Sequence, residues 1–91
     1  MIINELFTTI ISRKTADPAS SYTARLFAAG EDEMLKKVGE EAVEIILAAK
    51  NQGNARLIEE TADLTYHVLV LLAARGLTPA DVEAELSRRK K

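Results

Sequence analysis

The chain has 91 residues, a length that fits one small domain with a modest core. It contains no cysteine, which excludes disulfides, thiolate metal sites and a cysteine nucleophile. Its 12 basic and 14 acidic residues, with few aromatic side chains, provide neither a basic surface nor a stacking platform for nucleic acid. We therefore predict a single domain over residues 1–91 that does not bind nucleic acid.

The composition favours helices. Glycine occurs four times and proline twice, and the intervening stretches are rich in Ala, Leu, Ile, Glu and Lys. The longest apolar run, from Val68 to Ala74, is far shorter than the about 20 residues of a membrane span. The first residues lack the basic start and the apolar stretch of a secretion signal. We predict an all-α, cytoplasmic protein that does not interact with membranes.

The N-terminal third is predicted to hold two helices. Apolar residues recur three and four positions apart in an amphipathic pattern that ends near Lys14. Asp17-Pro18 interrupts this pattern, and Ser20 and Ser21 can cap a short helix that follows. Gly30 is suited to the left-handed conformation that closes such a helix.

Two long helices and a shorter one follow. We predict the first from Glu31 to about Lys50 and the second from Ala55 to Arg75, joined by the turn Asn51-Gln52-Gly53-Asn54. Asn54 is the expected N-cap of the second long helix, and Gly76 is expected to end that helix. Thr78-Pro79 is typical of the start of a last helix.

The apolar residues indicate how far each helix is covered. Those of the first long helix lie within one arc of about 120°, whereas the second is apolar nearly all round from Leu64 to Ala74 and needs neighbours on several sides. Val82 and Leu86 of the last helix are expected to point inward. Gly39, at a position where glycine costs a helix about 1 kcal/mol, suggests close packing of another backbone, with a partner chain as one candidate. We predict a helical bundle built on an antiparallel pair of long helices and completed by homodimerisation.

Each long helix carries two carboxylates three residues apart, a spacing that places them on one helical face. The pairs are Glu41 with Glu44 and Glu60 with Asp63. If the helices fold back about Gln52, Glu44 and Glu60 lie equally far from the turn, and so do Glu41 and Asp63. The two pairs are therefore expected to face each other. The same argument places Lys37 opposite His67.

Carboxylates that face each other across a partly buried seam repel unless a positive charge neutralises them. A hard ion such as Mg²⁺, with Mn²⁺ as the alternative, suits oxygen ligands and leaves positions open for water and phosphate oxygens. The pattern thus predicts metal-assisted attack on phosphate. A di-iron bundle is disfavoured, because its Glu-x-x-His motifs are missing: the single histidine, His67, follows Asp63 by four residues.

Three segments carry a family resemblance. They are Ser21-Tyr22-Thr23 with Leu26 and Gly30, the run KVGEEAVE over residues 37–44, and Glu59-Glu60-Thr61-Ala62-Asp63-Leu64 followed by Tyr66-His67. The acidic segments resemble the broad group of MazG-like nucleotide pyrophosphatases. The Ser-Tyr-Thr and Tyr-His segments narrow the resemblance to the all-helical phosphoribosyl-ATP pyrophosphatases, and together the segments cover most of residues 21–72.

This resemblance implies an activity and a set of site residues. The activity is Mg²⁺-dependent hydrolysis of phosphoribosyl-ATP between its α and β phosphates to phosphoribosyl-AMP and pyrophosphate, the second step of histidine biosynthesis. The implied metal ligands are Glu41, Glu44, Glu60 and Asp63. Glu40 would contact metal or orient the attacking water, and Lys37 would neutralise charge on the leaving pyrophosphate. The candidate substrate-binding residues are Tyr22, Lys36, Lys37, Lys50 and His67.

Two other functions remain open at this point. A house-cleaning MazG-like nucleoside triphosphate pyrophosphatase would use the same site and reaction on a different base and sugar. A non-catalytic helical dimerisation module would instead keep its carboxylates in salt bridges. Mg²⁺ should stabilise the folded form of either enzyme but not that of the module.

Overall fold

A computed structural model describes residues 2–90, which form five α-helices. They are α1 (Ile2–Ser12), α2 (Tyr22–Ala29), α3 (Glu31–Leu47), α4 (Asn54–Ala74) and α5 (Pro79–Arg89). Short 3₁₀ turns at Arg13–Thr15 and Pro18–Ser20 lie between α1 and α2, and a π-helical turn at Ala48–Gln52 lies between α3 and α4. No β-strand occurs within residues 2–90, so the all-α prediction is confirmed.

The two long helices α3 and α4 form the most extensive helix pair of the chain. Arg75, just past the end of α4, pairs with Glu31 at the start of α3. Half-way along, His67 Nδ1 of α4 lies 3.8 Å from Glu41 Oε1 of α3. Contacts in this order require the helices to run antiparallel, as predicted.

Of the two serines predicted to cap the N-terminus of α2, Ser21 does so and Ser20 does not. Ser21 Oγ accepts a hydrogen bond of 3.2 Å from the backbone N–H of Ala24. The Ser20 hydroxyl instead donates to the carbonyl of Asp17 at 2.8 Å, so Ser20 does not cap α2. Gly30 closes the helix with φ 98°, a conformation that glycine adopts without a steric penalty.

The connection from α3 to α4 differs from the prediction at two residues. Helix α3 ends at Leu47, and Lys50 lies in the wider π-helical turn that follows. Gly53, at φ 86°, reverses the chain and precedes α4. Asn54 is already the first residue of α4 and makes no side-chain cap bond, so its assignment as the N-cap was wrong. The positive φ of the glycine places the boundary one residue earlier than the asparagine suggests.

The core lies around the C-terminal half of α4. It combines buried side chains from four helices, namely Ile10, Leu26, Met34, Leu69, Val70 and Ala73. Lys14 Nζ donates to the Ala73 carbonyl at 2.8 Å and so ties the 3₁₀ turn after α1 to the last turn of α4. This core holds α1, α2 and α3 against α4 but leaves the N-terminal half of α4 less covered.

Several expected burials are wrong for the single chain. Val82 and Leu86 of α5 are 43% and 62% exposed, because α5 rests on the rest of the chain only through thin contacts. A Cβ at Gly39 would meet no atom within 4 Å, so no backbone of this chain packs closely there. In the predicted apolar arc of α3, Met34 is buried but Ile46 is exposed. Helices of bilayer-spanning length and hydropathy are absent from residues 2–90.

Candidate metal and active site

Three carboxylates converge where α3 crosses the N-terminal half of α4. Glu41 of α3 and Glu60 and Asp63 of α4 each place a carboxylate oxygen within 4.8 Å of the other two. Glu60 is buried at 5% exposure, Glu41 is half-buried and Asp63 is exposed. The group therefore extends from the protein interior to the solvent. An ion held there could be bound by the protein on one side and contact a substrate on the other.

The electrostatics of this acidic group favour a cation. Burial raises the pKa of Glu41 above its ordinary value, the charges of Asp63 and Glu60 raise it further, and Lys37 opposes the shift. The donors are carboxylate oxygens, which suit a hard divalent ion such as Mg²⁺. The residues present thus fit the predicted metal.

Glu44 and Glu40 flank the acidic group on α3. Glu44 is half-buried and does not belong to the three-carboxylate group, although its charge reaches Arg56 of α4 and helps to raise the pKa of that residue. Glu40 is more exposed, and its Oε1 lies 3.7 Å from Lys37 Nζ. Lys36 and Lys50 are exposed. The structure therefore brings three of the four predicted ligands into one group and leaves Glu44 at its edge.

His67 is buried behind the acidic group, with both ring nitrogens engaged. Its Nδ1 lies 3.0 Å from the Asp63 carbonyl, and its Nε2 lies 3.1 Å from the Tyr22 hydroxyl. Because a carbonyl only accepts, Nδ1 donates, and in the neutral ring Nε2 accepts from Tyr22. His67 thus links Tyr22 of α2 to the backbone of the helix that carries Asp63.

Aromatic contacts reinforce this link between α2 and α4. The Thr23 and Tyr66 hydroxyls are hydrogen-bonded, and the rings of Tyr66 and His67 meet edge to face with centroids 4.9 Å apart. Burial raises the pKa of Tyr66. Tyr22 keeps 41% of its surface exposed beside the acidic group. The two sequence segments Ser21-Tyr22-Thr23 and Tyr66-His67 therefore meet in space, and Thr23 and Tyr66 are the hydrogen-bonded pair that their motif did not reveal.

Arg56 is a further charged residue at the site that the sequence did not single out. Its Nη2 lies 2.6 Å from Glu60 Oε1, and its Nη1 lies 3.0 Å from Glu59 Oε1. The available signal was the four-residue spacing from Arg56 to Glu60, which places both on one face of α4.

The sequence of this chain matches a known protein family. The family model described as phosphoribosyl-ATP pyrophosphohydrolase matches residues 3–90. The chain belongs to that family. A relative from Pelotomaculum thermopropionicum, named phosphoribosyl-ATP pyrophosphatase, is 56% identical over 98% of this chain and 91% of its own length.

Other relatives carry the same name. Proteins from Trichlorobacter lovleyi and Paramagnetospirillum magneticum are 56% and 53% identical over 97% of this chain, which corresponds to 82% and 81% of their own lengths. The family identified from the Ser-Tyr-Thr, acidic and Tyr-His segments is thereby confirmed. The resemblance, stated above for most of residues 21–72, extends over nearly the whole chain.

Proposed function

We propose that this chain hydrolyses phosphoribosyl-ATP between the α and β phosphates to phosphoribosyl-AMP and pyrophosphate, in the second step of histidine biosynthesis. The observation that carries the proposal is the convergence of Glu41, Glu60 and Asp63 from two helices. The names of the relatives support the substrate. We place the reaction in the cytoplasm, where nucleotide substrates are held.

Glu41, Glu60 and Asp63 would hold Mg²⁺, with Mn²⁺ as the alternative and with Glu44 at the edge of the group as a fourth ligand. A bound Mg²⁺ supplies polarisation of phosphate oxygens and acidification of a water molecule. The graded exposure of the three carboxylates supports this assignment, because the buried Glu60 anchors the site while the exposed Asp63 faces the solvent from which a nucleotide arrives.

The surrounding side chains divide the remaining work. Glu40, the residue before Glu41 on α3, is proposed to orient the attacking water. Lys37 is proposed to neutralise the negative charge that develops on that leaving group. Its position supports this role, because its charge already acts on Glu41 and its ammonium lies beside Glu40. The exposed Lys36 and Lys50 are proposed to contact the outer phosphates.

Tyr22 is proposed to bind the nucleoside end of the substrate, with His67 in a supporting role. Tyr22 is 41% exposed, and the Arg25 guanidinium lies 5.8 Å from its ring centroid, so a base would contact the part of the ring that Arg25 leaves open. Since both nitrogens of His67 are engaged inside the chain, its contribution is to hold the Tyr22 hydroxyl in place. A ring fixed in this way loses less conformational freedom when a ligand binds.

We also propose that the chain works as a homodimer. Its accessible surface is 6257 Å², whereas a monomer of this mass is expected to expose about 5,200 Å². The Cα radius of gyration is 14.3 Å, against about 12 Å for a compact chain of this length. The excess of about 1,060 Å² is larger than the about 800 Å² that each partner buries in a standard interface.

An apolar groove marks the face that a second copy would cover. It runs between α1, α4 and α5 and is lined by Ile2, Ile3, Leu57, Ile58, Val68 and Val82. Ile58 is 70% exposed in the single chain. We call this face the apolar groove. Its continuity over three helices supports a partner of matching shape.

The test is pyrophosphate release by the purified chain from phosphoribosyl-ATP and from a panel of canonical and damaged nucleoside triphosphates. The proposal expects phosphoribosyl-ATP to be hydrolysed with a kcat/KM at least about 100-fold above that of the others. Equal or better turnover of a nucleoside triphosphate would instead identify a house-cleaning enzyme. A failure to release pyrophosphate from any of them would point to the non-catalytic module.

A further inference from the structure

Arg56 makes the shortest charged contact with the acidic group. Its guanidinium lies 2.6 Å from Glu60 Oε1, and the Glu60 side chain is only 7% exposed. The second arm of the guanidinium lies 3.0 Å from Glu59 Oε1, on the solvent side of α4. Arg56 is thus held between a buried and an exposed carboxylate, and its pKa is raised by its hydrogen bond to Glu59 and by the charges of Glu60 and Glu59.

This arrangement limits the freedom of Glu60. A glutamate has three rotatable side-chain bonds, and Glu41 and Asp63 repel its carboxylate when all three are ionised. The single short contact from Nη2 holds Glu60 Oε1 in place, and it is charge-assisted, which makes it stronger than a neutral hydrogen bond. Because Glu59 holds the other arm, Arg56 is itself restrained. The pair therefore keeps a buried carboxylate at the meeting point of the group.

We propose that Arg56 is a positioning residue, which holds Glu60 in the orientation that a divalent cation needs. This inference rests on the proposed function, since it assumes that the acidic group binds a metal. Hydrogen bonds to metal-ligating side chains typically contribute 10- to 100-fold to metal affinity. A mere electrostatic neighbour would do the opposite, because removing its positive charge would tighten the binding of a cation.

Loss of a positioning residue should weaken cation binding, whereas loss of a mere positive neighbour should strengthen it. A binding measurement alone therefore tests the inference. Mn²⁺ is titrated into the full chain, and the dissociation constant is measured by calorimetry or by the electron paramagnetic resonance of free Mn²⁺. Arg56→Met should weaken binding about 10-fold. Arg56→Lys keeps the charge but loses the fork, so its affinity should lie nearer to that of Arg56→Met than to that of the wild type.

Arg75→Met is the matched control. Arg75 also pairs with a glutamate, Glu31, but far from the acidic group at the other end of the helix pair. The Arg75→Met substitution removes the same charge from the chain as Arg56→Met and should leave the Mn²⁺ dissociation constant unchanged. Circular dichroism in EDTA should give the same helix content for all variants. Glu59→Gln frees one arm of Arg56 and should weaken Mn²⁺ binding less than Arg56→Met does.

The results separate this inference from the proposed function. If the wild type binds no Mn²⁺, the proposed metal-dependent function fails and the inference fails with it. If the wild type binds Mn²⁺ but Arg56→Met binds as tightly or more tightly, or if Arg56→Lys fully restores the affinity, the inference alone is overturned.

Discussion

The acidic group and the apolar groove lie on different sides of the same helix, and they differ in what a single chain can complete. The acidic group assembles within one chain, because α3 and α4 form a hairpin that brings Glu41 to Glu60 and Asp63. The apolar groove, by contrast, leaves Ile58 open to solvent. In the proposed function, the hairpin supplies the metal ligands, whereas a second copy would cover the apolar groove. Damage to either region should therefore spare the other.

The largest expected effect is on activity. Asp63→Asn and Glu60→Gln each remove one proposed metal ligand while preserving side-chain volume. Since even the partners that orient ligands contribute 10- to 100-fold, each substitution should lower pyrophosphate release by at least about 100-fold. Chromatography should show an unchanged molecular mass, because the apolar groove is intact. Near-wild-type turnover in both variants would remove the acidic group from the reaction.

The next effect is on assembly. Ile58→Glu places a charge in the apolar groove and should convert the proposed dimer to a monomer, because burying an unpaired carboxylate is costly. Light scattering coupled to gel filtration measures the mass directly. Ala28→Glu is the control, since Ala28 is exposed on α2 and outside the groove. A dimeric Ile58→Glu protein would show that this face is not the interface.

Divalent cations should stabilise the folded chain. At a Mg²⁺ concentration about 100 times the dissociation constant, binding contributes about 2.7 kcal/mol, which raises the melting temperature of a domain of this size by roughly 11–22 °C. Asp63→Asn should lose most of this shift, whereas Ile58→Glu should retain it. Differential scanning calorimetry with and without EDTA measures both. A wild-type melting temperature that does not change with Mg²⁺ would favour salt-bridged carboxylates in a non-catalytic module.

The smallest effect concerns pH. The folded chain raises the pKa of Glu41 above its ordinary 4.5, so ionised Glu41 lowers the free energy of unfolding at neutral pH. This destabilisation disappears as the pH falls through the raised pKa and then through the ordinary one. In EDTA, Glu41→Gln should therefore melt higher than the wild type at pH 7, by less than about 5 °C, with the gap closing toward pH 4. Glu5→Gln, on exposed α1, controls for loss of a carboxylate. A gap that widens on acidification would contradict this assignment.

The helix pair could be predicted because its determinants are local. Periodicity identifies α3 and α4, and equal distances from Gln52 bring Glu41 close to Asp63, but they also paired Glu44 with Glu60, and Glu44 lies outside the group. Asn54 was misassigned because a positive φ at Gly53 decides the boundary, and a sequence pattern does not specify that angle. Val82 and Leu86 were misplaced because hydropathy identifies apolar residues without showing whether their own chain covers them.

The finer parts of the site depend on side-chain conformations that spacing does not determine. His67 could be singled out as the lone histidine, but its two hydrogen bonds to Asp63 and Tyr22 depend on the approach of α2 to α4. Arg56 follows no motif, and its importance appears only once Glu60 is known to be buried. Motifs thus indicate the ligands, whereas packing shows which residues hold them.

The central claim is that the acidic group makes this chain a metal-dependent pyrophosphatase. The most direct test is a Mg²⁺ titration of metal-stripped wild-type protein with phosphoribosyl-ATP, followed by the release of pyrophosphate. The account predicts no release above background in EDTA and a saturable recovery with Mg²⁺, with phosphoribosyl-AMP formed in equal amount. Full activity in EDTA, or no activity at any Mg²⁺ concentration, would contradict it.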